Sequence, residues 1–324
     1  METKDDSLNM ARGMKQLYDE SMEDLSESSP LYSEIREIED RYTDRTPLAK
    51  GGMKTIYKVL DLKTDRYIAM AELHEGSSED SFENFIREAR LTANLEHPNI
   101  ISIHDIGLRE NSKPFFTMDL KVGDSLRVIL KKLADRDPEY EKRYTLNVLL
   151  EIFSKICDAM DYAHSRAVLH LDLKPDNIQI GLHGEVLICD WGLGKIIGEK
   201  SPEYSSNETQ LNADLLNDIT QAGELKGTPG YMAPEQAEKD GIKTYQTDIY
   251  ALGCILYSIL THRPTVSGSI EEMMNATRKG LIELPFKVCP ELFLPKTLDN
   301  IFEKATYLDA QKRYASVKDL KSDI

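Results

Sequence analysis

Three polar side chains lie close together in the stretch HLDLKPDN at residues 170–177: Asp172, Lys174 and Asn177. A second carboxylate, Asp190 in the segment CDWG, follows eighteen positions after Asp172. Each of these residues alone is most simply a turn residue. Carboxylate and amide oxygens are, however, hard ligands that suit Mg²⁺. Taken together at this spacing, the residues predict a reaction site rather than a set of turns.

The order of the motifs resembles that of the protein serine/threonine kinases, most closely the bacterial eukaryotic-like ones. The likeness comprises a glycine-containing loop, HLDLKPDN, DWG, APE and TDIYALG, in that order. It runs from about residue 45 to the end of the sequence, roughly 85% of the chain. The resemblance implies a two-lobed fold with ATP bound in the cleft between the lobes.

The resemblance also implies a role for each residue of the first stretch. Asp172 would accept the proton of the substrate hydroxyl, and Lys174 would steady the γ-phosphate. Asn177 and Asp190 would hold Mg²⁺ against the phosphates of ATP. Lys174 and the segment GTPGYMAPEQ at 227–236 favour serine or threonine in the protein substrate over tyrosine.

Three supporting interactions are expected from the same resemblance. Thr228 should bridge toward the loop that carries Asp172. Glu235 should pair with Arg313 in QKRY, and Asp248 should brace the catalytic loop from below. These interactions would hold segments together that are far apart in sequence.

The resemblance further implies a nucleotide pocket, with adenine between Ala69 and Ile56 above and Gln179 below. The residues expected to contact ATP are Ala49, Gly51, Gly52, Lys54, Ile56, Ala69, Met118, Asp119, Lys121 and Gln179. Asp119 would contribute its carbonyl and Lys121 its amide. Gln179 departs from the usual apolar floor, and an unpaired buried amide costs on the order of 1–3 kcal/mol. Ala49 replaces the first glycine, which stiffens the loop.

The strand that carries the lysine in this family reads IAMAEL here, with Ala71 at the lysine position. Residues two apart on a strand share a face, so Ala69 and Ala71 both point into the cleft. By the same rule Lys54 shares the inner face with Ile56. The double change resembles the with-no-lysine kinases, and by that resemblance Lys54 would bind the α- and β-phosphates with Glu88 as its partner.

Other interpretations of these residues remain open. A lysine in a glycine-rich hairpin is usually a solvated surface residue, and Lys50 on the other flank is a weaker candidate for the same role. Ala71 could be an engineered inactivating change. The main alternative to an active kinase is a pseudokinase that serves as a nucleotide-binding or scaffolding module.

The pattern of elements predicts an α+β fold, with a small antiparallel β-sheet lobe, one helix in that lobe, and a larger mainly helical lobe. From Pro47, PLAKGGMKTIYKVLD and RYIAMAEL are typical of strands, as are HPNIISIHDIG and KPFFTMDL further on. SFENFIREARLTANLEH has helical spacing. Residues 125–134, 144–166 and 246–261 predict long helices.

We divide the chain into an acidic extension at 1–46, a first lobe at 47–123 and a second lobe at 124–324. The extension carries thirteen acidic and six basic residues, and Leu31, Ile35 and Ile38 in it have helical spacing. It is expected to be either a solvated tail or a docking arm.

Composition and charge limit the binding partners and the cellular compartment expected for the chain. The net charge of −16 makes nucleic acid or an anionic membrane a poor partner. The four cysteines are far apart with no CxxC pair, as in a reduced cytoplasmic protein. The longest apolar run, Ile249 to Leu260, is too short to span a bilayer and predicts a buried helix. The charged N-terminus shows no signal peptide.

Two departures bear on regulation. Leu171 stands where many kinases have an arginine that grips a phosphate on the activation loop. Phosphorylation of that loop is therefore not expected to be strictly needed, although autophosphorylation within 199–228 remains a hypothesis. Trp191 replaces the usual phenylalanine and should pack between the lobes, where its indole N–H needs an acceptor.

Overall fold

The first lobe is built on an antiparallel sheet, and the computed structural model describes residues 40–109, 113–197, 229–238, 240–290 and 294–324. The strands of this lobe are β1 (Tyr42–Lys50), β2 (Lys54–Asp61), β3 (Arg66–Leu73), β4 (Ile103–Leu108) and β5 (Pro114–Met118). They pair in the order β1-β2-β3-β5-β4. The sheet supplies two faces, one of which turns toward the cleft.

The central strand β3 is buried on both faces, which explains its nearly continuous apolar sequence. Ala71 packs with Phe85 and Phe116 on one face, whereas Ile68 and Met70 pack with Val59 on the other. Neighbouring side chains on the strand thus point to opposite sides, as the two-residue period requires. The predicted inner position of residue 71 is confirmed.

Helix α1 (Glu79–Ala93) of the first lobe covers the inner face of the sheet. The Ser78 hydroxyl caps its first turn by accepting a hydrogen bond from the Ser81 N–H. Glu79 and Asp80 lie at the N-terminal end and Arg90 at the C-terminal end, in accord with the helix dipole. This helix brings Glu88 to the cleft.

The described part of the second lobe consists of helices and short strands. The helices are α2 (Leu126–Ala134), α3 (Pro138–Arg143), α4 (Leu146–Ser165), α5 (Tyr245–Thr261), α6 (Ile270–Lys279), α7 (Pro285–Val288), α8 (Lys296–Ala305) and α9 (Val317–Ser322). The strands are β6 (Gly123–Ser125), β7 (Val168–Leu169), β8 (Ile178–Gly181), β9 (Val186–Ile188) and β10 (Lys195–Ile196). Helices α2, α4 and α5 lie within two residues of the predicted segments 125–134, 144–166 and 246–261, so these three predictions are confirmed. Helix α5 is buried almost throughout, as its apolar run predicts.

The lobes meet through the segment between α1 and β4. The Ile101 N–H donates to the Ile188 carbonyl at 3.1 Å, and the Ile188 N–H donates to the Asn99 carbonyl at 2.8 Å. The Asn99 side-chain amide also donates to the Val186 carbonyl at 2.9 Å. These bonds anchor α1 of the first lobe on β9 of the second.

The α+β fold with two lobes agrees with the prediction, but two element boundaries differ. Strand β1 begins at Tyr42, ahead of the predicted start at Pro47, and β4 begins only at Ile103. The division at 46/47 and 123/124 stays a prediction. The expected helix around Leu31 to Ile38, the loop 199–224 and Thr228 lie outside the described residues.

Candidate active site

The ammonium group of Lys54 lies between two carboxylates in the cleft. Lys54 Nζ contacts Glu88 Oε1 on α1 and lies 3.3 Å from Asp190 Oδ1 of the second lobe. The Lys54 side chain is only 19% exposed. Lys54 is therefore a partnered residue of the cleft in this structure, and not a solvated side chain of the hairpin.

The register of the sheet explains how Lys54 reaches this position. Ile56 on β2 lies opposite Ala71 on β3, and Lys54 lies opposite Leu73. Ile56, Ala71 and Leu73 belong to the cluster under α1, so Lys54 starts on the same face as these residues. Its Nζ lies 5.8 Å from the centre of the Phe116 ring, which adds a cation–π contact.

The charges at this point favour one another. Burial alone would lower the pKa of Lys54, but the carboxylates of Glu88 and Asp190 outweigh it and raise that pKa above its ordinary value. Partial burial opposes ionisation of Asp190, yet Lys54 and other nearby cations lower its pKa. Burial raises the pKa of Glu88, and the Lys54 charge offsets part of that rise. The Lys54 ammonium thus stays protonated at neutral pH.

The stretch HLDLKPDN at 170–177, called the catalytic loop after the family resemblance, holds Asp172 beside a second ammonium group. Lys174 Nζ donates to Asp172 Oδ2 at 2.7 Å. The Asn177 side-chain amide donates to the Asp172 carbonyl at 2.9 Å and approaches Asp172 Oδ2 at 3.4 Å. The three residues predicted from the stretch HLDLKPDN are therefore brought together around one carboxylate.

Asp248 fixes the backbone of the catalytic loop from α5. Its carboxylate accepts from the His170 N–H and the Leu171 N–H, each at 2.9 Å. It also contacts His164 Nε2 at 2.9 Å. Leu171 has φ of 64°, a left-handed conformation that costs roughly 1–2 kcal/mol for a residue other than glycine. The buried carboxylate compensates this strain, so the expected bracing contact of Asp248 is observed.

A hairpin of β8 and β9 brings Asn177 and Asp190 to the same end of the cleft. Ile178 pairs with Ile188, and the Cys189 N–H donates to the Asn177 carbonyl at 2.8 Å. Asp190 itself has φ of 60°, which turns the chain out of the hairpin. Asn177 lies directly before β8 and Asp190 lies two residues after β9. The hairpin therefore places both residues at its open end.

These two residues fit a magnesium ion by their chemistry. The hydrogen bonds of the Asn177 side chain use its NH₂ group, so its amide oxygen makes no hydrogen bond among the described residues. The lowered pKa keeps Asp190 ionised at neutral pH. A carboxylate and an amide oxygen are the ligand types that Mg²⁺ takes.

The residues expected around adenine lie on strands of both lobes. Ala69 is buried and lies opposite Met118 across β3 and β5. Ile56 packs in the cluster under α1, and Gln179 on β8 lies opposite Leu187 on β9. Gln179 is half-buried, so its amide keeps access to solvent.

The residues expected at the hinge and in the glycine loop lie after β5 and around the turn between β1 and β2. Asp119 N–H donates to the Ser102 carbonyl at 3.2 Å, and Lys121 lies half-buried between β5 and β6. Ala49, Gly51 and Gly52 are exposed at the tip of the β1–β2 hairpin, where the Gly51 N–H donates to the Lys54 carbonyl at 2.9 Å. That bond closes the turn directly before Lys54.

Trp191 follows Asp190 and is fully buried. Its ring centre lies 4.5 Å from that of His170, with the two planes tilted by 43°. The prediction that Trp191 packs in the core is confirmed. The acceptor expected for its indole N–H is not found, because Nε1 has no hydrogen-bond partner within the described part of the chain. The tilted ring contact with His170 is a packing contact and leaves this donor unsatisfied.

The expected tie between Glu235 and Arg313 is a bidentate ion pair. Arg313 Nη1 lies 2.7 Å from Glu235 Oε1, and Nη2 lies 2.9 Å from Oε2. The Arg313 side chain is fully buried and also donates to the carbonyls of Tyr307 and Leu308. Paired and hydrogen-bonded on every side, the guanidinium can be buried without a large penalty.

Sequence reasoning missed several side chains that shape the site. His164 contacts Asp248, Phe116 lies under the Lys54 ammonium, and the Gln236 amide donates to the Leu171 carbonyl at 2.8 Å. Arg87, next to Glu88, is buried as well. The position of Arg87 beside Glu88 in the segment IREAR was the available indication in the sequence.

The fold and the motifs are matched by comparison with known families. Residues 42–322 match the protein kinase domain, which covers most of the chain. The chain belongs to the protein kinase family.

Its curated relatives include the serine/threonine-protein kinases PknD of several chlamydial bacteria. The chain is 37% identical over 292 residues to PknD of Protochlamydia amoebophila, 34% identical over 294 residues to that of Chlamydia pneumoniae, and 33% identical over 285 residues to that of Chlamydia trachomatis serovar D. These alignments cover 85–88% of this chain. The chain spans only 30–31% of the length of those relatives.

None of the helices in the described ranges is both long and apolar enough to cross a membrane.

Proposed function

We propose that the chain is an ATP-dependent protein serine/threonine kinase. Family membership supports phosphoryl transfer, and the names of the PknD relatives support serine and threonine as acceptors. The cluster of Asp172, Lys174 and Asn177 supports catalysis by this chain itself, because it gathers a carboxylate, an ammonium group and an amide of the kind that phosphoryl transfer uses.

The catalytic step follows from the groups around Asp172. The substrate hydroxyl oxygen forms a bond to the γ-phosphorus as the bond from that phosphorus to the β-γ bridging oxygen breaks. The Asp172 carboxylate takes the hydroxyl proton, and ADP leaves with the bridging oxygen. Lys174, at 2.7 Å from Asp172, places positive charge beside the transferred group. Asn177 and Asp190 would hold Mg²⁺, which neutralises charge on the phosphates when bound.

We further propose that Lys54 supplies the cation that β3 lacks. The observation that carries this proposal is the contact of Lys54 with Glu88 and its 3.3 Å approach to Asp190. Position 71 holds a buried methyl group, so no cation comes from that strand position. Lys54 would leave part of this arrangement to bind the α- and β-phosphates when ATP enters.

A pseudokinase that binds nucleotide or a partner is the second candidate. Ala71 favours this function, as do Ala49 in the loop and Gln179 on the pocket floor. The retained set of Asp172, Asn177 and Asp190 favours catalysis instead.

Radiolabelled phosphotransfer from ATP, measured together with MgATP affinity, tests both proposals. Lys54→Ala is expected to lower the rate on the order of 10²-fold or more, because one charge-stabilising contact is lost. Asp172→Asn should lower the rate by about 10²–10⁴-fold and leave MgATP binding intact. Lys50 is an exposed residue of the same hairpin, so Lys50→Ala serves as the matched control. Its phosphotransfer rate and its MgATP affinity should equal those of the wild type.

Two results would decide against these proposals. Full activity in Lys54→Ala would remove the relocated lysine. A wild-type protein that binds MgATP but transfers no phosphate with Mg²⁺ or Mn²⁺ would favour the scaffolding function.

A further inference from the structure

Arg87 joins α1 to the segment that follows Asp190. It directly precedes Glu88 on the helix and is 7% exposed. Its guanidinium Nη2 donates to the carbonyl oxygen of Gly194, 107 positions later in the chain. The two neighbours Arg87 and Glu88 therefore each make a contact with a different element.

The environment of Arg87 is unusual for a buried cation. Burial lowers the pKa of its guanidinium, and no carboxylate within the described ranges is paired with it. Burying a charge without a counter-ion is costly, so a salt bridge does not explain its place in the core. The hydrogen bond from Arg87 to the Gly194 carbonyl is charge-assisted, and we attribute the buried position of Arg87 to this contact.

The acceptor side is closely fitted to the helix. A Cβ on Gly194 would lie 2.4 Å from Leu91 Cδ2 and 2.9 Å from the Trp191 carbonyl oxygen. The Gly194 N–H donates to that Trp191 carbonyl at 2.8 Å, which fixes the turn that presents the Gly194 carbonyl. Only a glycine lets α1 approach the segment this closely.

We propose that Arg87 is a positioning residue that sets α1 so that Glu88 holds Lys54 beside Asp190. Consecutive residues on an α-helix point about 100° apart, so contacts at Arg87 and Glu88 together fix the rotation of the helix. Because the acceptor is a backbone carbonyl, the contact needs no phosphoryl group on the chain. The inference rests on the proposed role of Lys54.

A double-mutant cycle on the full chain tests this inference through the affinity for MgATP. Arg87→Leu is measured by calorimetry in the wild-type background and in the Lys54→Ala background, together with kcat and KM for ATP. We expect Arg87→Leu to weaken MgATP binding about fivefold or more in the wild type, but less than about twofold when Lys54 is absent. Arg87→Lys should recover part of the affinity because it keeps a donor.

The matched control is Arg90→Leu, which removes an exposed arginine of the same helix and should leave affinity unchanged. Equal weakening by Arg87→Leu in both backgrounds, or none in either, would overturn the inference. If Arg87→Leu fails to fold, Gly194→Ala and Arg87→Lys take its place in the same cycle. Failure of the proposed function is distinguishable, since Lys54→Ala alone would then change neither affinity nor rate.

Discussion

At the scale of single residues, the position of one ammonium group organises the cleft. In this structure the lysine that meets Glu88 comes from β2, and β3 presents the methyl group of Ala71 instead. The space around residue 71 is filled by Phe85 and Phe116, whose ring centres are 4.8 Å apart. The apolar packing of β3 is thus complete without a charged side chain.

This packing predicts the outcome of restoring a lysine on β3. Ala71→Lys should destabilise the fold by about 1–3 kcal/mol, because a long side chain is forced into a filled core. Combined with Lys54→Ala, it should regain only part of the lost phosphotransfer rate. Urea denaturation and the radiolabel assay measure the two effects.

Ala71→Met provides the control, since it adds similar length without charge. The explanation by packing would be wrong if the double variant recovered the full rate and Ala71→Lys cost no stability.

The sequence predicted some residues of the site well and others not at all. The two-residue period of a strand placed Ala71 on the inner face, because that geometry is rigid. The contact of Arg87 with Gly194 could not be predicted, since it depends on how closely two lobes approach each other. The missing acceptor of Trp191 has the same origin, because the polar groups around a buried indole depend on tertiary packing.

At the scale of elements, α5 and the catalytic loop act together through Asp248. Burial opposes ionisation of this carboxyl, but the hydrogen bond and charge of His164 and the N–H groups of the loop hold its pKa below the ordinary value. A carboxyl with a lowered pKa in the folded state stabilises the protein above its unfolded pKa of about 3.9. That stabilisation is lost as the pH falls through the lower, folded value.

Asp248→Asn should therefore lower the free energy of unfolding at neutral pH. It should also make that free energy vary less with pH in the acid range. At pH 7 the loss is expected to be about 1.5–3 kcal/mol, as for hydrogen bonds to a charged group. Below about pH 4 the difference from wild type should begin to narrow, because the unfolded wild-type chain then binds a proton at this carboxyl while the folded protein does not. The difference should become smallest once the pH has fallen through the lower, folded pKa. Denaturation curves at several pH values measure this.

Asp65→Asn, at an exposed residue of the β2–β3 turn, is the control for loss of a carboxyl group and should cost less stability at pH 7 than Asp248→Asn. A constant gap between Asp248→Asn and wild type down to pH 2 would contradict the assigned ionisation.

Helices were easier to predict than the edges of the sheet. The helical spacing of SFENFIREARLTANLEH placed α1 to within two residues of its observed start. The early start of β1 was missed because it depends on contacts distant in sequence. Arg41 donates to Asp61 at 2.9 Å, and the Tyr42 hydroxyl donates to Asp105 at 2.9 Å. These contacts fasten an edge that has no apolar alternation of its own.

At the scale of the whole molecule, the two lobes are joined near the site by neutral contacts and by charges. Asn99 and Ile101 bond to β9, and Arg87 bonds to the segment after Asp190. The acceptor in each of these contacts is a backbone carbonyl, so none of them depends on a phosphoryl group.

We therefore expect phosphotransfer without phosphorylation of the segment at 199–224. The change replaces the loop's Ser and Thr residues outside the GTP motif with alanine, at Ser201, Ser205, Ser206, Thr209 and Thr220. Activity should stay near that of wild type, because Leu171 offers no cation to a phosphate. The radiolabel assay measures the rate, and mass spectrometry after incubation with MgATP shows whether the wild type carries phosphate there.

Loss of activity in this variant with an unchanged melting temperature would show that phosphorylation is needed after all. The control is the wild type treated with a phosphatase, which should keep its activity as well.

The pairing of Glu235 with Arg313 has a consequence for how the protein is made. During translation Glu235 emerges from the ribosome well before Arg313, and until then its carboxylate lacks the counter-ion it has in the finished core. An uncompensated buried charge is strongly unfavourable, so the nascent second lobe should stay loosely packed until residue 313 has been synthesised. Chaperones that bind exposed apolar chain would have their longest opportunity during that interval.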